Sequence, residues 1–196
     1  MTGLLDLRRV FVRQQVEVFR LTGVYELVDP GNGLPVGVAK DEPAAWAKWL
    51  RLLIERRILP TVVRVYEGME VVVTLRKSWG LLRPTVAVEN AEGRSLGTLR
   101  AKMLTIGGGF VILDGGGQPV GDVQGDWIGW DFQIRDARGG AIGKVTKKWA
   151  GAGKEFFTSA DHYMIELPDT GSRDRDRAAL LLAAALAIDL VFKSGK

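Results

Sequence analysis

The sequence predicts a mainly β fold: a closed antiparallel barrel of about twelve strands enclosing a C-terminal hydrophobic helix, with one additional amphipathic helix. Three observations lead there. Glycine recurs in a fixed frame behind an acid or amide, short runs alternate between apolar and polar residues, and one run near the C-terminus is apolar on almost every side. A chain of 196 residues is short for two ordinary domains and long enough for one sizeable core, so residues 1–196 read as a single domain. Apolar residues at 46% and charged residues at 26% place it among globular proteins rather than disordered ones.

The first strand-like run is Tyr25-Glu26-Leu27-Val28, leading into a turn around Asp29, Gly33, Val36 and Gly37. The same frame, without the extra residue found there, returns three times: Asn90, Gly93, Leu96, Gly97; Asp114, Gly117, Val120, Gly121; and Asp136, Gly139, Ile142, Gly143. An Asp or Asn side chain accepts hydrogen bonds from its own turn, and glycine takes positive φ without steric cost. Each frame therefore reads as a hairpin. Its second glycine falls just inside the returning strand, where a bulge or a close backbone approach is expected. Trp130, Phe132 and Ile134 alternate with Asp131, Gln133 and Arg135, and Tyr163, Ile165 and Leu167 repeat the pattern.

Two segments break this rhythm. From Asp41, a plausible N-cap, to Leu59, before Pro60, the spacing of Trp46, Trp49, Leu50, Leu53 and Ile54 predicts an amphipathic helix. Residues 177–192 predict a second helix, apolar all round except at Asp189; Leu181, Leu182, Ala185 and Leu186 are typical of it. Such a helix has to be buried in protein or in lipid. Its sixteen or so residues reach about 24 Å, short of the ~20 residues that cross hydrocarbon. Asp189 adds a further cost of ~2.5–3.5 kcal/mol near a bilayer centre. A barrel of about twelve strands is wider than the eight-stranded kind that side chains alone can fill. The helix is thus expected to be the plug.

The composition excludes much chemistry. No cysteine means no disulfide framework and no thiolate, and the lone His162 excludes multi-histidine metal sites. His162 lies beside Asp161 and Tyr163, but adjacent strand residues face opposite ways, and no nucleophile elbow is present. The glycine runs at 107–109 and 115–117 do not open helices and read as turns. A net charge of +4 does not point to nucleic acid. Arg8, Arg9, Arg13 and Arg20 interrupt the start of the chain, so no export signal is read and a cytoplasmic location is expected. No enzymatic activity is expected.

The stretch Phe157 to Pro168, with Arg177 to Ala184 and Ile188 to Phe192, resembles the C-terminal end of the phospholipid scramblase family. Gly143 to Trp149 looks like the strand before it in that family, and Tyr25 to Asp29 like an early strand and turn. The resemblance extends to LURP-one-related proteins and to the Tubby C-terminal domain, and implies a closed twelve-stranded barrel around a hydrophobic helix. It also implies contact with phospholipid head groups, a part in moving phospholipid between leaflets, and peripheral attachment at the plasma membrane.

The calcium segment of the scramblases aligns with Ser159 to Thr170. Asp161, Tyr163, Ile165 and Pro168 keep its pattern, while Ser159 and Thr170 stand where carboxylates are expected. Asp161 and Asp169 are the candidate calcium ligands, and the loss of two carboxylates weakens any such site. No other cofactor is expected. Lys144, Lys147, Lys148 and Lys154 are the candidate head-group ligands, although strand alternation splits them between two faces. Trp46 and Trp49 with Arg56 and Arg57 are candidates for a membrane interface. The alternative is a soluble barrel that binds a ligand or a protein partner, of unknown identity, without lipid activity.

Overall fold

Each alternating run forms a strand, and the computed structural model describes residues 3–15, 23–42, 59–79, 84–102, 108–126, 128–147, 162–168 and 174–192. The strands are β1 (Arg9–Gln15), β2 (Val24–Val28), β3 (Pro35–Asp41), β4 (Thr61–Glu67), β5 (Glu70–Lys77) and β6 (Thr85–Asn90). They continue as β7 (Ser95–Ala101), β8 (Gly109–Asp114), β9 (Pro119–Asp126), β10 (Asp131–Asp136), β11 (Ala141–Thr146) and β12 (His162–Glu166). A short 3-10 helix (Leu4–Asp6) precedes them and helix α1 (Arg175–Phe192) follows. Every strand pairs antiparallel with its neighbours in sequence, and β1 closes on β12 with Arg9 opposite Glu166 and Arg13 opposite His162. The result is a closed barrel of twelve strands, which leaves no edge exposed.

Inward positions supply Val10, Leu27, Val65, Leu75, Val88, Phe110, Phe132 and Ile165, all buried against α1. On the helix, Ala183, Ala184 and Ala185 are completely buried, as are Leu182 and Ile188. Small alanines keep the helix slim enough to fit among strands whose inward residues are valine-rich. The plug expected from sequence is therefore observed. Helix α1 begins at Arg175, two residues before the predicted start at Arg177, because the Asp174 carboxylate accepts the Arg177 N–H at 3.0 Å. Among the described residues no helix is long and apolar enough to cross a membrane.

The repeated glycine frames behave as their chemistry requires. Asp114 Oδ1 accepts the N–H groups of Gly116 and Gln118 at 2.9 and 2.8 Å. Asp136 Oδ1 does the same for Arg138 and Gly140, both at 2.9 Å. Gly117 sits at φ 79°, in the left-handed region. A register shift follows the pairing of Gly37, Gly97, Gly121 and Gly143 with the neighbouring strand, so all four predicted bulges are present. At Gly121 a Cβ would lie 2.3 Å from the Arg135 carbonyl oxygen.

The segment read as an amphipathic helix is described only at its two ends. Asp41 is the last residue of β3, opposite Val63, and its N–H donates to the Gly23 carbonyl at 2.9 Å. Leu59, expected in the last turn of that helix, is a fully buried bend residue leading into β4. Residues 43–58, which carry Trp46, Trp49, Arg56 and Arg57, lie outside the described residues.

Gly121→Ala is expected to lower unfolding stability by ~1–3 kcal/mol in urea denaturation, because its methyl meets backbone. Gly116→Ala, whose Cβ has only the Asp114 carboxylate nearby at 3.3 Å, is expected to stay within about 0.5 kcal/mol of the parent.

Candidate functional site

The meander gives the barrel two unlike ends. One carries the tight hairpins after β2, β4, β6, β8 and β10; the other carries the connections after β1, β3, β5, β7, β9 and β11. Helix α1 enters at the hairpin end, where Arg94 of the β6–β7 turn meets Asp176 at 2.5 Å. It runs toward the connection end, where Asp189 meets Tyr25 at the start of β2.

At that connection end Asp126 builds a turn: its two carboxylate oxygens accept the N–H groups of Ile128 and Gly129 at 2.8 and 3.0 Å. Trp130 follows at φ 49°, a conformation that costs a bulky residue ~1–3 kcal/mol. The cost is matched by what the ring does. Its face receives the Lys147 ammonium 4.6 Å from the centroid, and the Trp130 carbonyl accepts the Lys147 N–H at 3.2 Å. The ring also packs on Phe132 and Tyr163, with centroids 6.0 and 5.7 Å away. Ile128, at the tip of the same turn, is 80% exposed, and Trp79 is exposed beyond β5 at the same end.

Behind this lip the interior is polar at one point. Asp189 is 5% exposed, and its Oδ2 accepts the Tyr25 hydroxyl. The Tyr163 hydroxyl is fully buried with no hydrogen-bond partner among the described residues. Burial pushes its pKa well above the ordinary phenol value, with the Asp189 charge next and then Tyr25 adding to the effect. Asp41, Thr61 and Lys77 are buried toward the same end. The cavity beside Tyr25, Tyr163 and Leu186 measures only about 10 Å³, at the lower limit for one water. No lipid tail fits there. Among the described residues the lumen is a packed core.

The outer wall is largely self-neutralised. Arg135 binds Asp122 through two nitrogens at 2.9 and 2.8 Å and also bonds Gln124, while Lys102 bonds the same Asp122 carboxylate. Asp122 is held below the usual carboxylate range, chiefly by the Arg135 hydrogen bonds and, against the opposing effect of burial, by Lys102. Glu42 bonds Tyr66 at 2.6 Å and also Arg64, and it too is lowered, first by the Tyr66 hydroxyl. Arg76 and Glu89 form a further pair at 3.0 Å.

Two of the residues expected to bind head groups, Lys144 and Lys147, lie among the described residues. Lys144 lies on the outer wall in an ion pair with Asp131 at 3.2 Å, while Lys147 is at the lip over Trp130. Lys148, Lys154, Asp161 and Asp169 lie outside the described residues. Leu181, Leu182, Ala185, Leu186 and Asp189 are all buried in the plug. His162 packs edge-on against Phe11 at 5.5 Å, beside Tyr163, which faces the core. Sequence reasoning overlooked Trp130, Ile128, Tyr25 and Tyr163 as parts of this end. The available signal was the single acid in an apolar helix, which needed a polar partner on an inward strand position. Of the three tyrosines, Tyr25 and Tyr163 are on such positions.

A helix-plugged, twelve-stranded meander with an aromatic and basic lip defines the class of this protein. The family model described as Scramblase matches residues 54–194, and the chain belongs to that family. Over 88 residues the chain is 27% identical to the altered inheritance rate of mitochondria protein 25 of Saccharomyces cerevisiae. That match takes in 38% of this chain and 27% of the yeast protein, so the chain covers about a quarter of that relative's length. A solved Arabidopsis thaliana protein shares the fold, with a TM-score of 0.52 at 14% identity over 95% of this chain and 99% of that one.

Tyr25→Phe is expected to cost ~1–3 kcal/mol in thermal unfolding, because it strips a hydrogen bond from a buried carboxylate. Tyr163→Phe, which removes a hydroxyl that bonds nothing described, is expected to be neutral or slightly stabilising. Asp122 has a folded pKa below its unfolded value, so its stabilisation is present above about pH 4 and is lost as pH falls through the folded value. Asp122→Asn is therefore expected to lower the melting temperature at pH 7, with the gap to the parent closing as the pH falls below about 4 in an acid series.

Proposed function

We propose that this Scramblase-family protein is non-enzymatic and works at a membrane surface, where its connection end binds phospholipid head groups and takes part in transbilayer phospholipid movement. The observation that carries this reading is the Lys147 ammonium held over the Trp130 ring beside the exposed Ile128. A cation, an aromatic face and a protruding aliphatic side chain on one rim suit a head-group layer: the charge meets phosphate and the aliphatic tip enters the acyl boundary. Family membership and the packed lumen support contact from outside rather than passage through the barrel. Lys144 lies nearby on the wall, but its pairing with Asp131 makes it the weaker ligand.

Peripheral attachment at the cytoplasmic face of the plasma membrane fits this reading, because anionic lipid concentrates there. Asp161 and Asp169 remain the calcium candidates, and calcium in this reading tunes membrane contact rather than supplying it. The test is co-sedimentation with vesicles containing phosphatidylserine, at low and high salt, with lipid scrambling followed in parallel. Binding is expected at low salt, and Lys147→Glu, a change of two charges, is expected to weaken it by about tenfold or more. Ile128→Asp should also reduce binding. Absence of vesicle binding at low salt defeats the proposal in favour of a barrel that binds a ligand or protein without lipid activity.

A further inference from the structure

The opposite end of the barrel holds a groove of about 500 Å³, inside the ~300–1,000 Å³ range of small-ligand sites. It opens where the first turns of α1 pass the β8–β9 and β10–β11 hairpins. Val120, Ile142, Leu180 and Leu181 make its apolar side, and Arg138 and Arg177 stand over it. The acids that line it are engaged elsewhere. Asp114 and Asp136 turn their carboxylates into their own hairpins, where each accepts two backbone N–H groups. Asp176 is paired with Arg94, and Arg135 with Asp122. Arg138 and Arg177 are both exposed, and neither guanidinium has an acidic partner among the described residues.

We propose that this groove binds a single-chain anionic lipid, a fatty carboxylate, with its tail along Val120, Ile142 and Leu180 and its head between Arg138 and Arg177. Two planar guanidiniums suit a carboxylate, which each can hold through paired hydrogen bonds. The apolar side asks for a tail, which an acidic peptide or inorganic anion lacks. The groove lies a strand length from the Lys147–Trp130 lip, so this binding stands or falls independently of the vesicle binding proposed above.

Calorimetric titration of the full chain tests it, using oleate and octanoate below their micellar concentrations, an acidic peptide, and vesicles containing phosphatidylserine. Saturable binding of one oleate per chain is expected, at least tenfold tighter than octanoate because each added methylene is removed from water. The Arg138→Glu, Arg177→Glu double variant is expected to lose at least tenfold in oleate affinity, and Lys147→Glu to lose none. Both arginines are exposed, so the melting temperature should hold; if it falls, Arg138→Gln alone should still weaken oleate severalfold. Equal affinity for oleate and octanoate, competition by the acidic peptide, oleate binding indifferent to both arginines, or binding to vesicles but not to free oleate overturns the proposal.

Discussion

The rest of the structure depends on hiding one helix. Helix α1 is apolar around nearly its whole circumference, and neither water nor a one-sided sheet can satisfy it. A closed barrel does, because it offers apolar side chains from every direction at once. Closure through β1 and β12 also pairs the last backbone edge. The alanines of the helix and the inward valines of the strands are two sides of the same packing problem. Volume given to one has to be taken from the other, because protein interiors are as dense as organic crystals.

That arrangement also explains why the two ends differ. At one end the β8–β9 and β10–β11 hairpins are held by the carboxylates of Asp114 and Asp136, which accept backbone N–H groups of their own turns. At the other end the short β9–β10 connection holds Trp130 at positive φ, with its ring face under Lys147. The buried meeting of Asp189 with Tyr25 ties the end of the helix to this lip. A carboxylate there costs desolvation, which the hydrogen bond from Tyr25 offsets in part. Lip and plug are thus joined through Tyr163, which touches Trp130 on one side and neighbours Asp189 on the other.

A filled lumen bears on what a member of the Scramblase family can do with this chain. The cavity beside the helix at Tyr25, Tyr163 and Leu186 is about 10 Å³, and strands and helix fill the rest of the described interior with apolar side chains. On the outer wall Lys102, Arg135, Arg64 and Arg76 are all tied to carboxylates. One rim presents a lysine on an aromatic ring, and the other presents two arginines over an apolar groove.

Much of the architecture was legible from local chemistry. The four hairpins and their bulges follow from an Asp or Asn and two glycines within eight or nine residues, and the plug follows from a run too apolar for any surface. Asp41 closes β3, and the helix read after it falls on residues outside those described. The partner of Asp189 could not be assigned from the chain alone, because Tyr25 lies 164 positions away and reaches it only once the barrel has closed. The same holds for the stacking of Lys147 on Trp130 and for the spent or unspent state of each arginine. Turn and periodicity rules act over a few residues, so they survive in a linear reading; contacts across a barrel depend on register and closure, which come into being only when all the strands have paired.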